Sequence, residues 1–437
     1  METVVPDAVV EGVSETRKLA RVRKLKGQVR VPADADEAAA ALWLAAIAAG
    51  DSRVDGVPPG AEAVLTMLRQ LGVDVDREGA GAIVKGKGLR GLQAPAEALD
   101  MSAYPYSAQL VTALLSQQSF PCELWVAEAS CKDLVQLLAR TGAVATELAP
   151  GRLQFEGMNS SPVSADHPEK DLAIGVRQAL LLAGLFGDGM TTVRERSTAR
   201  ERADAPLRQR GITPDVSRKE DPAVRNVTLP SGGELLATDV DLPGDVLLAL
   251  PLIVAAVCLP RSDLSVTRLS VRSDNRVMLD LLRQAGAGLD LEDQSDGTTS
   301  VQVKGTVNLK PTRVAEQRAV KLLAQTPLLA VLATQTHGEF IIRDVESLRE
   351  GEFDLLSHLV ASLRSLEAKV GEYPEGIVIE GGRPLKGATL DCRNNAHVAQ
   401  AFAVLGLLAH GETELLGPDA AELTFPGYFD VLTQITG

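Results

Sequence analysis

The feature that most constrains this chain is a module that recurs about every 70 residues along its whole length. Each copy opens on a small or polar turn and runs into an Ala/Leu-rich helix. The six openings are PADADEAAAALWLAAIAAG from Pro32, SAYPYSAQLVTALLSQQ from Ser102, DLAIGVRQALLLAGLFGDG from Asp171, PGDVLLALPLIVAAVCLP from Pro243, QTPLLAVLATQTHGE from Gln325 and NAHVAQAFAVLGLLAHGE from Asn395. Most are followed by a short strand and a second helix closed by glycine, as in AEAVLTMLRQLGVDV and RVMLDLLRQAGAGLD. A glycine there supplies the left-handed residue that ends a helix. The first helices are apolar nearly all round, which predicts burial inside a layer, whereas the second set carries one apolar stripe and one wet face. Six strand-helix-strand-helix-strand units therefore predict an α/β protein in which sheets enclose interior helices. The stretch VTLPSGGELLATDVDLPGD, from Val227 to Asp245, concentrates Gly, Pro and Asp and marks a crossing between two halves of three copies each.

A chain of 437 residues exceeds one ordinary core, in agreement with two halves. Hydrophobic residues make up 45% but aromatics only 3%, so Ala, Leu and Val must build the cores. Few stacking rings and a net charge of −14 argue against nucleic-acid and membrane-surface partners. The basic run RKLARVRKLKGQVRV, from Arg17 to Val31, alternates apolar Leu25, Val29 and Val31 with polar residues and reads as an exposed-face strand. Cys122, Cys131, Cys258 and Cys392 form no CxxC and have no His at ligand spacing, which predicts idle reduced thiols, no metal site and no cofactor. METVVPDAVVEG lacks the basic start and apolar run of an export signal. The longest apolar stretch, Leu247 to Leu259, is too short to cross a bilayer and contains Pro251. The chain thus reads as cytoplasmic.

LKGQVRVPADAD and LWLAAIAAGDSRVDGV near the start, LPGDVLLALPLIVAAVCLPRSDLSV at the midpoint, SLREGEFDLL, and AFAVLGLLAHGETEL with LTFPGYFDVL at the end follow in order. With these segments the chain resembles the enolpyruvyl transferase family. The resemblance implies a two-domain inside-out α/β barrel with six repeats, three per domain. One domain would span 31–241 and the other 1–30 plus 242–437, with a cleft at the crossings near 30 and 241. It also implies closure over phosphoenolpyruvate and a phosphorylated acceptor, whose hydroxyl adds to the enolpyruvyl group with loss of phosphate. Such chemistry needs cations for the anionic groups and carboxylates to move protons.

This chain departs from the family pattern at most of those places. The family's Pro-Gly-Asp-Lys-Ser and following Arg fall on Pro32 to Asp36 and on Ala40, so Lys becomes Ala35, Ser becomes Asp36 and Arg becomes Ala40. An acid about 4 Å from a bound phosphate costs on the order of 4 kcal/mol per charge pair at an effective dielectric near 20. The Asn-Ser-Gly-Thr-Thr loop falls on Ala103, Tyr104, Pro105, Tyr106 and Ser107, and its following Arg on Gln109. Ser-Ala-Gln falls on Ala173, Ile174 and Gly175, with Arg177 where Lys is common. Pro243, Gly244 and Asp245 remain, but Leu247 and Leu248 replace two serines. Asp-Glu before a proline falls on Ala324 and Gln325. Arg349, Glu352 and Asp354 remain, while Lys becomes Gly351 and Arg becomes Leu355. Asp-His-Arg falls on Asn395, Ala396 and His397.

The catalytic candidate is Glu352, an acid stripped of its partner. The candidates for contacting a ligand are Asp34, Tyr104, Tyr106, Ser107, Gln109, Arg177, Arg349, Asp354, Asn395 and His397. Structural readings stand beside these: Asp34 and Asp245 fit N-cap acids equally well, Arg349 with Glu352 and Asp354 fits a local ion-pair cluster, and His397 fits a loop hydrogen-bonding residue. Two functions follow. One is a pseudoenzyme that keeps the fold to bind a small-molecule ligand in the cleft or a protein partner. The other is an enzyme with a rebuilt site for a less anionic substrate.

Overall fold

The computed structural model describes residues 16–127, 131–198, 202–218, 221–272, 275–350 and 353–436. Each repeat opens on a helix with almost no polar face, and each of these becomes an interior helix: α1 (Ala35–Ala46), α2 (Pro105–Ser116), α3 (Ile174–Gly184), α4 (Val246–Cys258), α5 (Thr326–Gln335) and α6 (Ala396–Leu408). α6 is buried without interruption from Val398 to Leu408. In α1 the fully buried Ala38, Ala39, Ala45 and Ala46 leave room for close neighbours, where a larger side chain would overpack. The companion helices behave as their single stripe requires. Glu62–Gln70 buries Val64, Leu65, Met67 and Leu68, and Val277–Gln284 buries Met278, Leu279, Leu281 and Leu282. Gly72 (φ +80°) and Gly286 (φ +88°) follow these two helices in the left-handed conformation expected of them.

The strands repeat as regularly as the helices. A two-residue edge strand precedes each of α2 to α5, and the strand after the helix runs parallel to it, closing a β-α-β crossover. In the second repeat, Leu99–Asp100 lies parallel to Cys122–Trp125, which pairs antiparallel with Arg152–Phe155, which pairs antiparallel with Ala145–Ala149. The third and fifth repeats have the same order, with Asp166–His167 and Arg313–Val314 at the edge. The first and last sheets exchange strands across the sequence. Val240–Asp241 runs parallel to Ala49–Asp55 in the first sheet, Thr16–Ala20 pairs antiparallel with Glu412–Leu416 in the last, and Lys26–Val29 joins Asp263–Ser270 in the fourth beside Gly244–Asp245. The basic run expected to be a strand thus supplies two, both lying mostly at the surface.

The chain divides into two compact units. The first is Pro32–Pro243; the second joins the residues up to Val31 with those from Gly244 onward. In the first, α2 packs on both α1 and α3; in the second, α4, α5 and α6 pack on one another. Three sheets surround the three helices in each unit, so this is an inside-out α/β architecture. Glycine is required at 244, where a Cβ would stand 2.7 Å from both O and Cγ2 of Val31. No helix among the described residues is long and apolar enough to cross a membrane.

Candidate functional site

The first unit gathers its polar side chains at the start of its interior helices. Asp34 (φ −65°, ψ 135°) stands just before α1, and its Oδ1 accepts a hydrogen bond from Glu37 N at 2.8 Å, a helix N-cap. Asp36, two residues on, is spent on the next repeat. Its Oδ1 accepts from Ser107 N at 2.7 Å and Ser107 Oγ at 2.5 Å, and its Oδ2 accepts from Tyr106 N at 2.7 Å. Tyr106 and Ser107 are the second and third residues of α2, whose first-turn amides have no partner within the helix and carry the positive end of its dipole. Pro105 contributes no amide. The groups with which α2 would hold a foreign anion are therefore occupied by a carboxylate of the same chain. Burial raises the Asp36 pKa above the usual carboxylate value. The hydrogen bonds from Ser107 and Tyr106 oppose that shift, and the nearby charge of Asp34 adds to it.

The same end is tied further. Tyr104, 4% exposed, donates from its hydroxyl to Gly60 O at 2.5 Å. Tyr106 donates to Gln178 Oε1 on α3 at 2.6 Å. Gln109 of α2 fills the space over Gly175, where a Cβ would collide with its Oε1. Asp34, Tyr104, Tyr106, Ser107 and Gln109 thus come together at the starts of α1 to α3. Arg177 enters a buried ion network: its Nη1 donates to Glu195 Oε2 at 3.2 Å, and Glu195 also binds Arg225, whose Nη2 reaches Asp204 Oδ1 at 2.9 Å. Burial works to raise the Asp204 pKa, but hydrogen bonds from Arg208 and Arg225 outweigh it and hold the carboxyl below its usual value.

In the second unit the candidates serve mainly as helix caps. Asp245 accepts from Leu247 N at 2.9 Å before α4, Asn395 from Val398 N at 3.1 Å before α6, and Asp354 from Ser357 N at 2.8 Å before helix Leu355–Ser365. Arg349 is engaged at every nitrogen. Nη1 donates to Asp354 Oδ2 (2.7 Å), Ser357 Oγ (2.9 Å) and Glu372 Oε1 (3.0 Å), Nη2 to Tyr373 O (2.9 Å) and Nε to Pro374 O (3.0 Å). Glu372 therefore belongs to this cluster, while Glu352, the catalytic candidate, lies outside the described residues. His397 is exposed in the first turn of α6.

Asp36, Gln178 and Glu372 were not among the candidates. Nothing near Asp36 in the sequence shows its role, because its partners lie 70 and 71 residues away. Among the described residues no group of three or more His, Cys, Asp or Glu side chains is placed to hold a metal ion. Burial pushes the thiols of Cys122, Cys258 and Cys392 up to about 12, which keeps them protonated and unreactive.

Interior helices wrapped by sheets in three-repeat units, with polar turns at the helix starts, define an α/β protein of the enolpyruvyl transferase type. Residues 19–432 match the family model of EPSP synthase (3-phosphoshikimate 1-carboxyvinyltransferase), and the chain belongs to that family. Two similar relatives are both 3-phosphoshikimate 1-carboxyvinyltransferases. That of Parasynechococcus marenigrum is 31% identical over 96% of this chain and 97% of its own length, and that of Brevibacillus brevis is 27% identical over 96% and 99%. Among solved structures, EPSP synthase from Acinetobacter baumannii superposes with a TM-score of 0.76 at 24% identity, covering 96% of this chain and 98% of that one. The enolpyruvyl transferase NikO from Streptomyces tendae gives 0.67 at 18%, covering 97% and 98%. These two likenesses establish the shared fold.

Proposed function

We propose that this member of the EPSP synthase family does not carry out enolpyruvyl transfer from phosphoenolpyruvate to shikimate 3-phosphate and that its fold serves binding instead. The observation that carries the reading is Asp36, whose carboxylate takes the Tyr106 and Ser107 amides and the Ser107 hydroxyl. A phosphate arriving there would have to displace a covalently attached anion and then sit beside its charge. Ala35 and Ala40 offer no compensating cation where the family carries Lys and Arg. Arg177 and Arg349 keep their charge but hold it in ion pairs with Glu195 and with Asp354 and Glu372. A ligand suited to what remains is weakly charged or neutral and is met by Tyr, Ser and Gln side chains.

The test is phosphate release from phosphoenolpyruvate in the presence of shikimate 3-phosphate, with a calorimetric titration of both compounds. The expected result is no release above the rate without protein and no binding tighter than that of inorganic phosphate. Turnover in the range of about 1–1,000 per second, ordinary for enzymes, overturns the proposal.

A further inference from the structure

At the far ends of the interior helices of the second unit, where α4, α5 and α6 stop at Cys258, Gln335 and Leu408, a cavity of about 240 Å³ opens. Arg21, His337, Arg383 and His410 line it together with the apolar Leu309, Leu385 and Leu408, and its lining holds no Asp or Glu. On a chain of net charge −14 this is a local reversal of sign.

Cations at helix C-termini usually serve the helix, by meeting its last carbonyls. Here backbone amides already serve those ends: Thr306 N donates to Val257 O of α4 (2.9 Å), Gly382 N to Thr334 O of α5 (2.9 Å) and Val22 N to Leu407 O of α6 (3.0 Å). The first unit shows what a capping arginine looks like. Arg90, the third residue after strand Gly81–Lys87, donates to Phe186 O just beyond α3 at 2.7 Å. Arg383, the third residue after strand Gly376–Glu380, instead meets Glu380 at 2.7 Å, and Glu380 is shared with Lys369. Arg21 has no carboxylate partner among the described residues. Its Nη1 lies 2.8 Å from Nε2 and 3.2 Å from Nδ1 of His410. A guanidinium only donates, so a ring nitrogen of His410 is its acceptor here, where a carboxylate would make the stronger, two-pronged bond.

We propose that this cavity binds a small organic carboxylate with a compact apolar body. The carboxylate is taken by Arg21 and Arg383, with N–H support from the two imidazoles, and the body lies on Leu309, Leu385 and Leu408. The site is at the opposite end of the helices from their capped starts and is independent of any transferase chemistry.

Calorimetric titration of the full chain in carboxylate-free buffer tests this, with benzoate as the probe, benzamide as its uncharged match and inorganic phosphate as charge without an apolar body. Benzoate is expected to bind one to one, benzamide and phosphate each at least about tenfold more weakly, and Arg21→Gln to weaken benzoate by about tenfold or more. Arg21 and Arg383 are both exposed, and Arg383→Gln carries the same test if the melting curve shows that Arg21→Gln does not fold. No benzoate binding at millimolar concentration, equal binding of benzamide or phosphate, or unchanged affinity in the folded variant overturns the proposal.

Discussion

Asp36 does with one carboxylate what a bound anion does for a helix start: it accepts from two first-turn amides and a hydroxyl of α2. In Asp36→Asn one acceptor oxygen becomes an NH2 group, which faces either the Tyr106 amide or the Ser107 donors and leaves a half-buried donor unmet. The expected cost is about 1–3 kcal/mol, read as a lower midpoint in denaturant unfolding. The pH dependence has a fixed sign. Burial raises the folded-state pKa of Asp36, so its titration favours the folded state below the ordinary carboxylate value near about 4 and that contribution is lost as pH rises through the raised value. The stability gap between the native chain and Asp36→Asn should therefore shrink as pH rises from about 4; a gap that widens contradicts the burial argument. Asp34 was legible as a cap because its partner is three residues away. Asp36 was not, because its role exists only once two repeats have packed.

Interior helices were readable one by one, since an all-round apolar segment such as LPLIVAAVC has nowhere to go but the inside. The two-residue strands were not, for Val240–Asp241 and Gly244–Asp245 are too short to carry an alternation. The ion network was half-visible: Arg177 was a candidate because the resemblance places it where Lys is common, but Glu195, Arg225 and Asp204 come from separate segments. This network joins α3 to strands Met190–Arg196 and Val224–Pro230 with almost no water, so removing one member strands another's charge. Arg225→Met should destabilise the first unit by about 3 kcal/mol or more, seen in its unfolding midpoint. The depressed pKa of Asp204 sets the acid limb. Its contribution is present above the ordinary carboxylate pKa and is lost as pH falls through the depressed value, so Arg225→Met should flatten the acid-induced loss of stability. Unchanged acid unfolding would show that other carboxylates govern it.

The departures that the sequence resemblance implies, on which the proposed function draws, are spread over the repeats rather than confined to one loop. Ala35 and Asp36 stand at α1, Pro105 and Gln109 at α2, Ala173 to Gly175 at α3, Ala324 and Gln325 before α5, and Asn395 to His397 at α6. Groups that act together in one reaction are strongly non-additive, so the loss of several is not reversed by the return of one. The opening loop offers the cleanest trial. Ala35→Lys with Asp36→Ser restores a cation, removes the internal carboxylate and frees the Tyr106 and Ser107 amides; Ala40 is buried and is best left unchanged. If the proposed loss of transfer is distributed over the repeats, the double variant gains affinity for inorganic phosphate over the native chain but still releases none from phosphoenolpyruvate with shikimate 3-phosphate. Phosphate-dependent thermal shifts and a coupled phosphate assay read the two effects separately. Restored turnover would mean that a single loop held the deficit, and that the helix starts of α2 to α6 remain competent as they stand.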